Sequence, residues 1–200
     1  MPKPPKKNPP RTTPGHIRII GGLHRGRKLP VLVHEGLRPT TDRIRETLFN
    51  WLMFHIRDAK VLDMFAGSGA LGFEAYSRGA KHVTMIELDR QITANLNKCH
   101  TALGAPLAIR LINGNSLDQV KRLNEKFDII FLDPPFRHDI LTAAIPLLET
   151  YAVHEGTLIY LEQEIEHQAK VPASFKLLKD GKAGQVCYRL YRYEAETLDN

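Results

Sequence analysis

From residue 60 onward, short apolar runs alternate with segments of helical length, and this alternation constrains the fold more than any other feature. Five runs have the length and composition of buried strands: KVLDMF, HVTMIE, AIRLIN, FDIIFLD and GTLIYLE. Helical patterns lie between them at 69–79, 90–103, 116–124 and 138–150. Such alternation predicts a doubly wound α/β fold, with a mostly parallel sheet, helices on both faces and right-handed crossovers.

The segments on either side of this region predict antiparallel pairs. Near the N-terminus, IRIIGGLHRGRKLPVLV places two apolar runs around a glycine-rich bend, which predicts a β-hairpin with a basic tip. The helix that follows begins after Pro39 and takes Thr40 or Thr41 as its N-cap. At the other end, FKLLKD, the turn GKAG and QVCYRLYRY predict a hairpin that adds antiparallel strands at one sheet edge.

The positive charge of the chain is concentrated in its first 60 residues. They contain 13 Lys and Arg against 4 Asp and Glu, a net of +9, whereas residues 61–200 contain 15 against 18, a net of −3. Basic segments of this kind often contact phosphate backbones, although many are only solvated surface. Residues 1–15, with six prolines and four basic residues, predict a disordered arm. The remainder divides into a hairpin and helix (16–59), a main domain (60–193) and a tail (194–200).

Other features narrow the class of protein. The sequence has no run of eighteen apolar residues and no apolar centre of a signal peptide, which predicts a cytoplasmic protein without membrane association. Cys99 and Cys187 have neither disulfide nor metal-ligand spacing, and the nine histidines are scattered. We therefore expect no metal site.

A glycine-rich loop follows the first strand of the alternating region. Gly67, Gly69 and Gly72 spell G-x-G-x-x-G between a strand and a helix. Glycines let the backbone approach a ligand there, and the helix N-terminus offers free N–H groups. The motif favours a nucleotide-like ligand, although a purely structural tight turn would use the same residues.

Two acids near this loop bear on the identity of the ligand. Glu87 ends the second strand, where a carboxylate can accept hydrogen bonds from both ribose hydroxyls, in NAD sites and S-adenosylmethionine sites alike. Asp63 lies four residues before Gly67, where its charge opposes a pyrophosphate and favours a ligand with an ammonium and a sulfonium. Asp63 could equally cap the helix or bond the turn.

The loop NGNSLD follows the third strand at the same edge of the sheet. Asn115 or Ser116 could hydrogen-bond an adenine edge, and Leu117 could cover its face. Ser116 could equally be an ordinary N-cap for the helix that follows.

The apolar run FDIIFLDPPF ends in an acid, two prolines and an aromatic ring. Ligands of an open parallel sheet lie beyond the carboxyl ends of the strands, so this run delivers Asp133 beside the glycine loop. The carboxylate of Asp133 and the carbonyl of Pro134 could hold the N–H groups of an aromatic amine. Pro135 would help to fix the carbonyl direction, and Phe136 could stack on the base. Outside this context, Asp-Pro-Pro-Phe is more often a rigid turn.

Together these motifs resemble class I S-adenosylmethionine-dependent methyltransferases that act on amino groups of nucleobases. The segments RPTTDRIRETLFNWL, LDMFAGSGALGFEA, IELDR, FLDPPF and GQVCYRLYRY are similar to the RsmD family, which methylates the exocyclic N2 of a guanine in 16S ribosomal RNA. The resemblance covers residues from about 16 to 193. It implies a Rossmann-like, seven-stranded sheet with a reversed last strand, and S-adenosylmethionine as the cofactor.

The resemblance also implies roles for individual residues. Four would place the amine: Asp133, Pro134, Pro135 and Phe136. Nine would contact the cofactor: Asp63, Phe65, Gly67, Gly69, Glu87, Leu88, Asn115, Ser116 and Leu117. The partner would be 16S ribosomal RNA within a small-subunit assembly intermediate or 30S particle, bound by a monomer.

Six basic residues form a candidate phosphate-binding surface, since RNA affinity rests largely on backbone charge. They are Arg25, Arg27, Lys28, Arg38, Arg43 and Arg45. Some of these arginines could instead pair with Asp42 or Glu46 on the helix.

Three alternatives stay open on the sequence alone. A NAD(P)-dependent oxidoreductase would share the glycine loop and Glu87, but it leaves Asp-Pro-Pro-Phe without a role. An amino methyltransferase of another nucleobase, such as adenine at N6, or of DNA would use the same strand end. An RNA-binding scaffold could keep the fold without the chemistry.

Overall fold

The computed structural model describes residues 15–32, 42–104, 107–135 and 140–195 of the 200-residue chain. Within these ranges the strands are β1 (Gly15–Arg18), β2 (Lys28–Val31), β3 (Lys60–Asp63), β4 (His82–Glu87), β5 (Ile109–Asn113), β6 (Ile129–Leu132), β7 (Leu158–Glu164), β8 (Phe175–Ala183) and β9 (Val186–Tyr193). The helices are α1 (Asp42–Trp51), α2 (Ala70–Ser77), α3 (Arg90–Leu103), α4 (Ser116–Leu123) and α5 (Ile140–Tyr151). The predictions for Arg38, Thr40, Thr41, Phe136 and residues 1–14 lie outside the described residues.

Seven strands form one mostly parallel sheet in the order β5-β4-β3-β6-β7-β9-β8. β9 pairs antiparallel with both β7 and β8, so it is the reversed strand. The chain first builds the sheet outward from β3 through β4 to β5, and then returns to place β6 on the other side of β3. The predicted doubly wound α/β fold with a reversed final strand is confirmed, and the carboxyl ends of β3 and β6 mark its switch point.

The central strands β3, β4, β6 and β7 are apolar on both faces because helices cover both. On one face, alternate strand residues pack against α1, α2, α3 and the N-terminal hairpin; this core includes Val61, Phe131, Leu48, Phe73 and Leu96. On the other face, the intervening residues pack against α4 and α5; this core includes Leu62, Ile130, Ile159, Val120 and Leu148. The period of two along each strand therefore divides the core into two layers.

The N-terminal hairpin consists of β1 and β2, which pair antiparallel from Gly15 opposite Val31 to Arg18 opposite Lys28. Its bend is attached to α2 by a carboxylate: the N–H groups of Ile20 and Gly21 donate to Glu74 at 2.7 and 2.8 Å. Glu74 is fully buried. The predicted hairpin is therefore part of the same packed body as the sheet.

The C-terminal hairpin turns later than the sequence predicted. Residues 181–183 continue β8 instead of forming the turn GKAG, and the chain reverses at Gly184, whose φ of +61° suits glycine. Gly181 is needed for close packing, since a Cβ atom there would lie 2.4 Å from the ring of Tyr188 on β9. The sequence correctly predicted a glycine-containing turn in this segment, but only Gly184 lies in the turn.

Across the described ranges, every helix is too short or too polar to cross a membrane.

Candidate functional site

Four parallel strands end at the same edge of the sheet, and each delivers a polar side chain there. Asp63 ends β3, Glu87 ends β4, Asn113 ends β5, and Asp133 follows the last residue of β6. Because β3 lies between β4 and β6, Asp63 stands in the middle of this row. The strand ends that the sequence singled out therefore converge on one site.

The glycine loop leads from β3 into α2. Gly69 is the N-cap of α2 and has a φ of +79°, a left-handed conformation that side chains with a Cβ atom disfavour. Gly72 lies within the helix and has a packing role: a Cβ atom there would be 2.7 Å from the sulfur of Met85 on β4. The loop thus combines a strained turn with close packing of the helix against the sheet.

Asp63 is the buried acid of the site. Its side chain is 2 % exposed, and its Oδ2 atom accepts a hydrogen bond of 3.0 Å from the N–H of Gly72, in the first turn of α2. Burial, assisted by the nearby carboxylate of Asp133 and opposed by the hydrogen bond from Gly72, raises the pKa of Asp63 to about 7. The turn-bonding role foreseen for Asp63 is therefore real, and it coexists with a position among the other acids.

Glu87 connects the end of β4 to the glycine loop. Its Oε2 atom accepts from the N–H of Gly67 and its Oε1 atom from the N–H of Asp89, both at 2.8 Å. Each carboxylate oxygen can accept a second hydrogen bond, so these contacts orient the group without using its full capacity. Glu87 is half-buried, and its neighbour Leu88 is exposed.

Asn113 was not singled out from the sequence, although it holds the same region. Its Nδ2 atom donates to the carbonyl oxygens of Glu87 and Leu88, each at 3.0 Å. It thereby fixes the backbone that carries Glu87. The asparagine at a strand end was the available signal, but its partners lie 25 and 26 residues earlier in the chain.

The loop after β5 contains a helix cap one residue earlier than foreseen. The Oδ1 atom of Asn115 accepts from the N–H of Leu117 at 2.9 Å, so Asn115 is the N-cap of α4. Ser116 is the first helical residue and is buried. The alternative of an N-cap at Ser116 is therefore wrong, because the side chain of Asn115 already accepts from the first N–H groups of the helix.

Asp133 is half-buried, Pro134 is buried and Pro135 is exposed. The charge of Asp133 acts in two directions: it raises the pKa of Asp63 on β3 and the pKa of Tyr160 on β7. The acid at the end of β6 therefore lies between the end of β3 and the Tyr160 hydroxyl of β7.

Tyr160 and Glu162 on β7 form a second polar group beside Asp133 that the sequence did not reveal. The hydroxyl of Tyr160 donates to Oε2 of Glu162 at 2.7 Å, and both residues are buried. Burial, followed by the charges of Glu162 and Asp133, raises the pKa of Tyr160 well above its usual value. In the sequence, the run GTLIYLE reads only as a buried strand, because the apolar residues around these two dominate the pattern.

The predicted basic surface is divided by the structure. Arg25, Arg27, Lys28 and Arg43 are exposed. Arg45 is 2 % exposed, and its Nη2 atom donates to the carbonyl of Arg18 at 2.9 Å and to Asp42 at 2.5 Å. The phosphate-contact role of Arg45 is therefore wrong; the alternative of a pair with Asp42 is correct.

The hairpin tip lies away from the strand-end site. Arg27 donates to the carbonyl of Ala102, near the end of α3, at 2.6 Å. α3 begins at Arg90, just after Glu87, and a helix rises 1.5 Å per residue, so the tip lies about 18 Å along the helix from the site. A ligand that touches both must be a large one.

No group of three or more His, Cys, Asp or Glu side chains suited to a metal ion occurs in the part of the chain that the structure describes.

The site's residues fit S-adenosylmethionine better than a dinucleotide. Glu87 offers acceptors of the kind that a ribose diol requires. Asp63 and Asp133 lie close enough to interact, which produces a negative region beside the glycine loop. Such a region favours an ammonium or sulfonium and opposes a pyrophosphate.

Known proteins agree with this assignment. The family described as Conserved hypothetical protein 95 matches residues 17–192. The chain is 50 % identical over 192 residues to Ribosomal RNA small subunit methyltransferase D of Escherichia coli strain K12, covering 95 % of this chain and 96 % of that protein. It is 49 % identical over 182 residues to the protein of the same name from Haemophilus influenzae, covering 89 % and 94 %.

A solved structure shows the same architecture. The Escherichia coli protein yhhF superposes with a TM-score of 0.84 and 49 % identity, covering 91 % of this chain and all of that one. Family, sequence identity and fold therefore agree across almost the whole chain. The chain belongs to the RsmD family of class I S-adenosylmethionine-dependent methyltransferases.

Proposed function

We propose that this protein transfers a methyl group from S-adenosylmethionine to the exocyclic N2 of a guanine in 16S ribosomal RNA. Membership of the RsmD family, with relatives named ribosomal RNA small subunit methyltransferases, supports ribosomal RNA as the substrate. The observation that carries the proposal is the position of Asp133 beside Asp63, at the switch point of the sheet. There the strand end that would hold the amine adjoins the loop that would hold the cofactor.

The cofactor would lie across the ends of β3, β4 and β5. Glu87 would accept hydrogen bonds from the ribose hydroxyls, and Asp63 with the turn through Phe65, Gly67 and Gly69 would face the cationic part. Leu88 and the residues from Asn115 to Leu117 would border the adenine. When bound, S-adenosylmethionine supplies a methyl group already activated by its sulfonium, so the protein's main task is placement.

The strand end after β6 would prepare the nucleophile. The lone pair of a guanine N2 amine is delocalised into the ring, which makes the amine a poor nucleophile. The Asp133 carboxylate and the Pro134 carbonyl would accept its two N–H groups and favour pyramidal geometry at nitrogen. Pro135 would keep the carbonyl in place, and Phe136, next in the sequence, would stack on the base.

RNA would be bound beyond the pocket as well as in it. Residues 16–59 would be the RNA-facing extension of a methyltransferase domain at 60–193, with Arg25, Arg27, Lys28 and Arg43 exposed for phosphate contacts. The separation of about 18 Å between tip and site fits an RNA that extends over several nucleotides. The target guanine must leave its stack, which favours an irregular or single-stranded segment.

Labelled methyl transfer tests the proposal. The protein is incubated with labelled S-adenosylmethionine and either purified unmethylated 16S ribosomal RNA or partly assembled small subunits, and the nucleosides are separated after digestion. We expect label in N2-methylguanosine at one mapped position. Label in N6-methyladenosine would show that the amine-holding site reads another base, and label in neither RNA would contradict the proposal. The two substrate arms distinguish naked RNA from the assembled particle, and gel filtration checks the expected monomer.

A further inference from the structure

We propose that Glu162, held by Tyr160, is the specificity-determining residue that accepts the N1–H of the target guanine. This inference rests on the proposed function, because it assigns the recognition of guanine at the same site. Glu162 lies on β7, next to the strand that carries Asp133. It takes no part in the methyl transfer proposed for Asp133 and Pro134.

The pairing of β6 with β7 brings the two acids side by side. The parallel register runs from Ile129 opposite Leu158 to Leu132 opposite Leu161. The next residues on the two strands are Asp133 and Glu162. Neighbouring strands lie about 4.8 Å apart, so these two residues flank the same space at the edge of the sheet.

Both acids also lie toward the same face of the sheet. Two residues earlier, Phe131 and Tyr160 pack edge to face with ring centroids 6.3 Å apart, in the core layer that α1 covers. Strand residues alternate between faces, so Glu162 lies on the face of Tyr160, as their hydrogen bond of 2.7 Å requires. The charge of Asp133 reaches the Tyr160 hydroxyl as well.

The Tyr160 hydroxyl orients the carboxylate of Glu162. Burial and the nearby carboxylates keep this phenol protonated, since they raise its pKa well above the usual value. It therefore acts as a hydrogen-bond donor to Oε2, and this bond orients the whole carboxylate. A carboxylate can accept several hydrogen bonds at once, so a Glu162 oriented in this way can also accept one from a base.

Two adjacent acceptors match guanine and not adenine. Guanine presents N1–H and the N2 amine side by side on one edge, and all of these hydrogens are donors. Adenine presents a lone pair at N1 beside its N6 amine, and a buried carboxylate would repel that lone pair. Asp133 and the Pro134 carbonyl would bind the amine. Glu162 on the next strand would then distinguish guanine from adenine at the adjacent ring nitrogen, N1.

The test uses RNA in which 2-aminopurine replaces the mapped target guanine. This base keeps the N2 amine but has a lone pair at N1 instead of an N–H. We expect the wild-type protein to prefer guanine in kcat/KM. In Glu162→Gln, the amide oxygen should face the Tyr160 donor and the NH₂ group should face N1. The guanine to 2-aminopurine ratio should then fall by at least about tenfold, the scale of one buried hydrogen bond.

Two further variants control for purely structural effects. Glu164→Gln makes the same change two residues along β7, at an exposed ion pair with His167, and should keep the wild-type ratio. Tyr160→Phe removes the hydrogen bond that orients Glu162 and should lower the guanine to 2-aminopurine ratio several-fold. This variant tests the proposal independently if Glu162→Gln does not fold. Dissociation constants for S-adenosylmethionine should stay near the wild-type value in all three variants.

The outcomes separate this inference from the proposed function. If the wild-type protein methylates guanine at N2 and the ratio is unchanged in Glu162→Gln or in Tyr160→Phe, the assignment of Glu162 is overturned while the proposed function stands. If the wild-type protein methylates adenine instead, both fail. A lowered ratio in Glu162→Gln and in Tyr160→Phe, with an unchanged ratio in Glu164→Gln, supports Glu162 as the acceptor of the guanine N1–H.

Discussion

The carboxylate of Glu87 accepts a 2.8 Å hydrogen bond from the N–H of Gly67, and so joins the end of β4 to the glycine loop after β3. A single side chain therefore shapes the loop, and in the proposed cofactor site it would also offer acceptors to a ribose. Loss of this carboxylate should therefore weaken cofactor binding more than RNA binding.

Glu87→Ala should weaken S-adenosylmethionine binding by about 10- to 100-fold, the scale of one or two charged hydrogen bonds. Isothermal titration calorimetry measures the dissociation constant directly. Glu46→Ala on the exposed side of α1 is a matched control and should leave it unchanged. An unchanged constant in Glu87→Ala would remove Glu87 from the ribose site.

Asp133→Ala should separate binding from chemistry. We expect the dissociation constant for S-adenosylmethionine to stay close to the wild-type value while kcat falls by roughly two or more orders of magnitude, the scale of one positioned polar group. Single-turnover methylation of the RNA substrate measures the chemical step. Activity near the wild-type level would contradict the amine-holding role.

The buried Asp63 should make the stability of the ligand-free protein depend on pH. Its folded-state pKa of about 7 lies above the ordinary aspartate value of 3.8, so the folded state binds the proton more tightly than the unfolded chain. This contribution to stability is complete below the unfolded pKa and is lost as the pH rises toward 7, at up to about 1.4 kcal/mol per pH unit. Asp63→Asn keeps an acceptor for the Gly72 N–H but cannot ionise, so its stability should vary less between pH 4.5 and 6.5. Urea unfolding across this range measures both slopes, and equal slopes would contradict the assignment.

Glu74 should be essential for docking the N-terminal hairpin. Its removal leaves the half-buried N–H groups of Ile20 and Gly21 without their acceptor and Arg78 without its partner at 2.6 Å. Breaking a buried pair of this kind costs about 3–5 kcal/mol, so Glu74→Ala should lower the free energy of unfolding on that scale. Urea denaturation measures the loss, and hydrogen exchange should show faster exchange at residues 17–31. Loss of stability without faster exchange there would mean that Glu74 acts elsewhere in the fold.

The hairpin tip should contribute to RNA affinity through charge alone. Arg25→Ala and Lys28→Ala should each raise the dissociation constant for RNA and reduce the slope of log K against log salt by about one. Filter binding at several salt concentrations measures this slope. Lys121→Ala on α4, which covers the opposite face of the sheet, is the control and should leave the slope unchanged. Equal slopes for all variants would exclude the tip from the RNA surface.

Much of this architecture could be predicted because the parallel strands are apolar on both faces and end abruptly at polar residues. The runs that end at Glu87 and Asp133 showed both the strand and the edge at which the strand stops. The converging acids followed from topology, since parallel neighbours end at one edge. The position of the C-terminal turn could not be predicted. Gly181 and Gly184 look alike in sequence, but only Gly181 faces an aromatic ring.

The contacts that sequence reasoning missed are made with partners far along the chain. Glu74 binds a bend more than fifty residues earlier, and Arg45 contacts the carbonyl of Arg18, 27 residues away. In sequence, each is a charged residue in a helix, and charged residues are mostly exposed to solvent. The same holds for Glu162, because only the pairing of β6 with β7 places it beside Asp133.

β9 follows β8 in the chain but occupies the position between β8 and β7. Synthesis proceeds from the N-terminus, so in the nascent chain β7 is an open edge with unpaired backbone groups until β9 has emerged from the ribosome. Glu162, paired in register with Tyr188, therefore gains its outer neighbour only at a late stage of translation. In a newly made copy of this enzyme, the strand pairing beside the proposed base site would therefore form last, after β3, β4 and β5 of the proposed cofactor site have been synthesised.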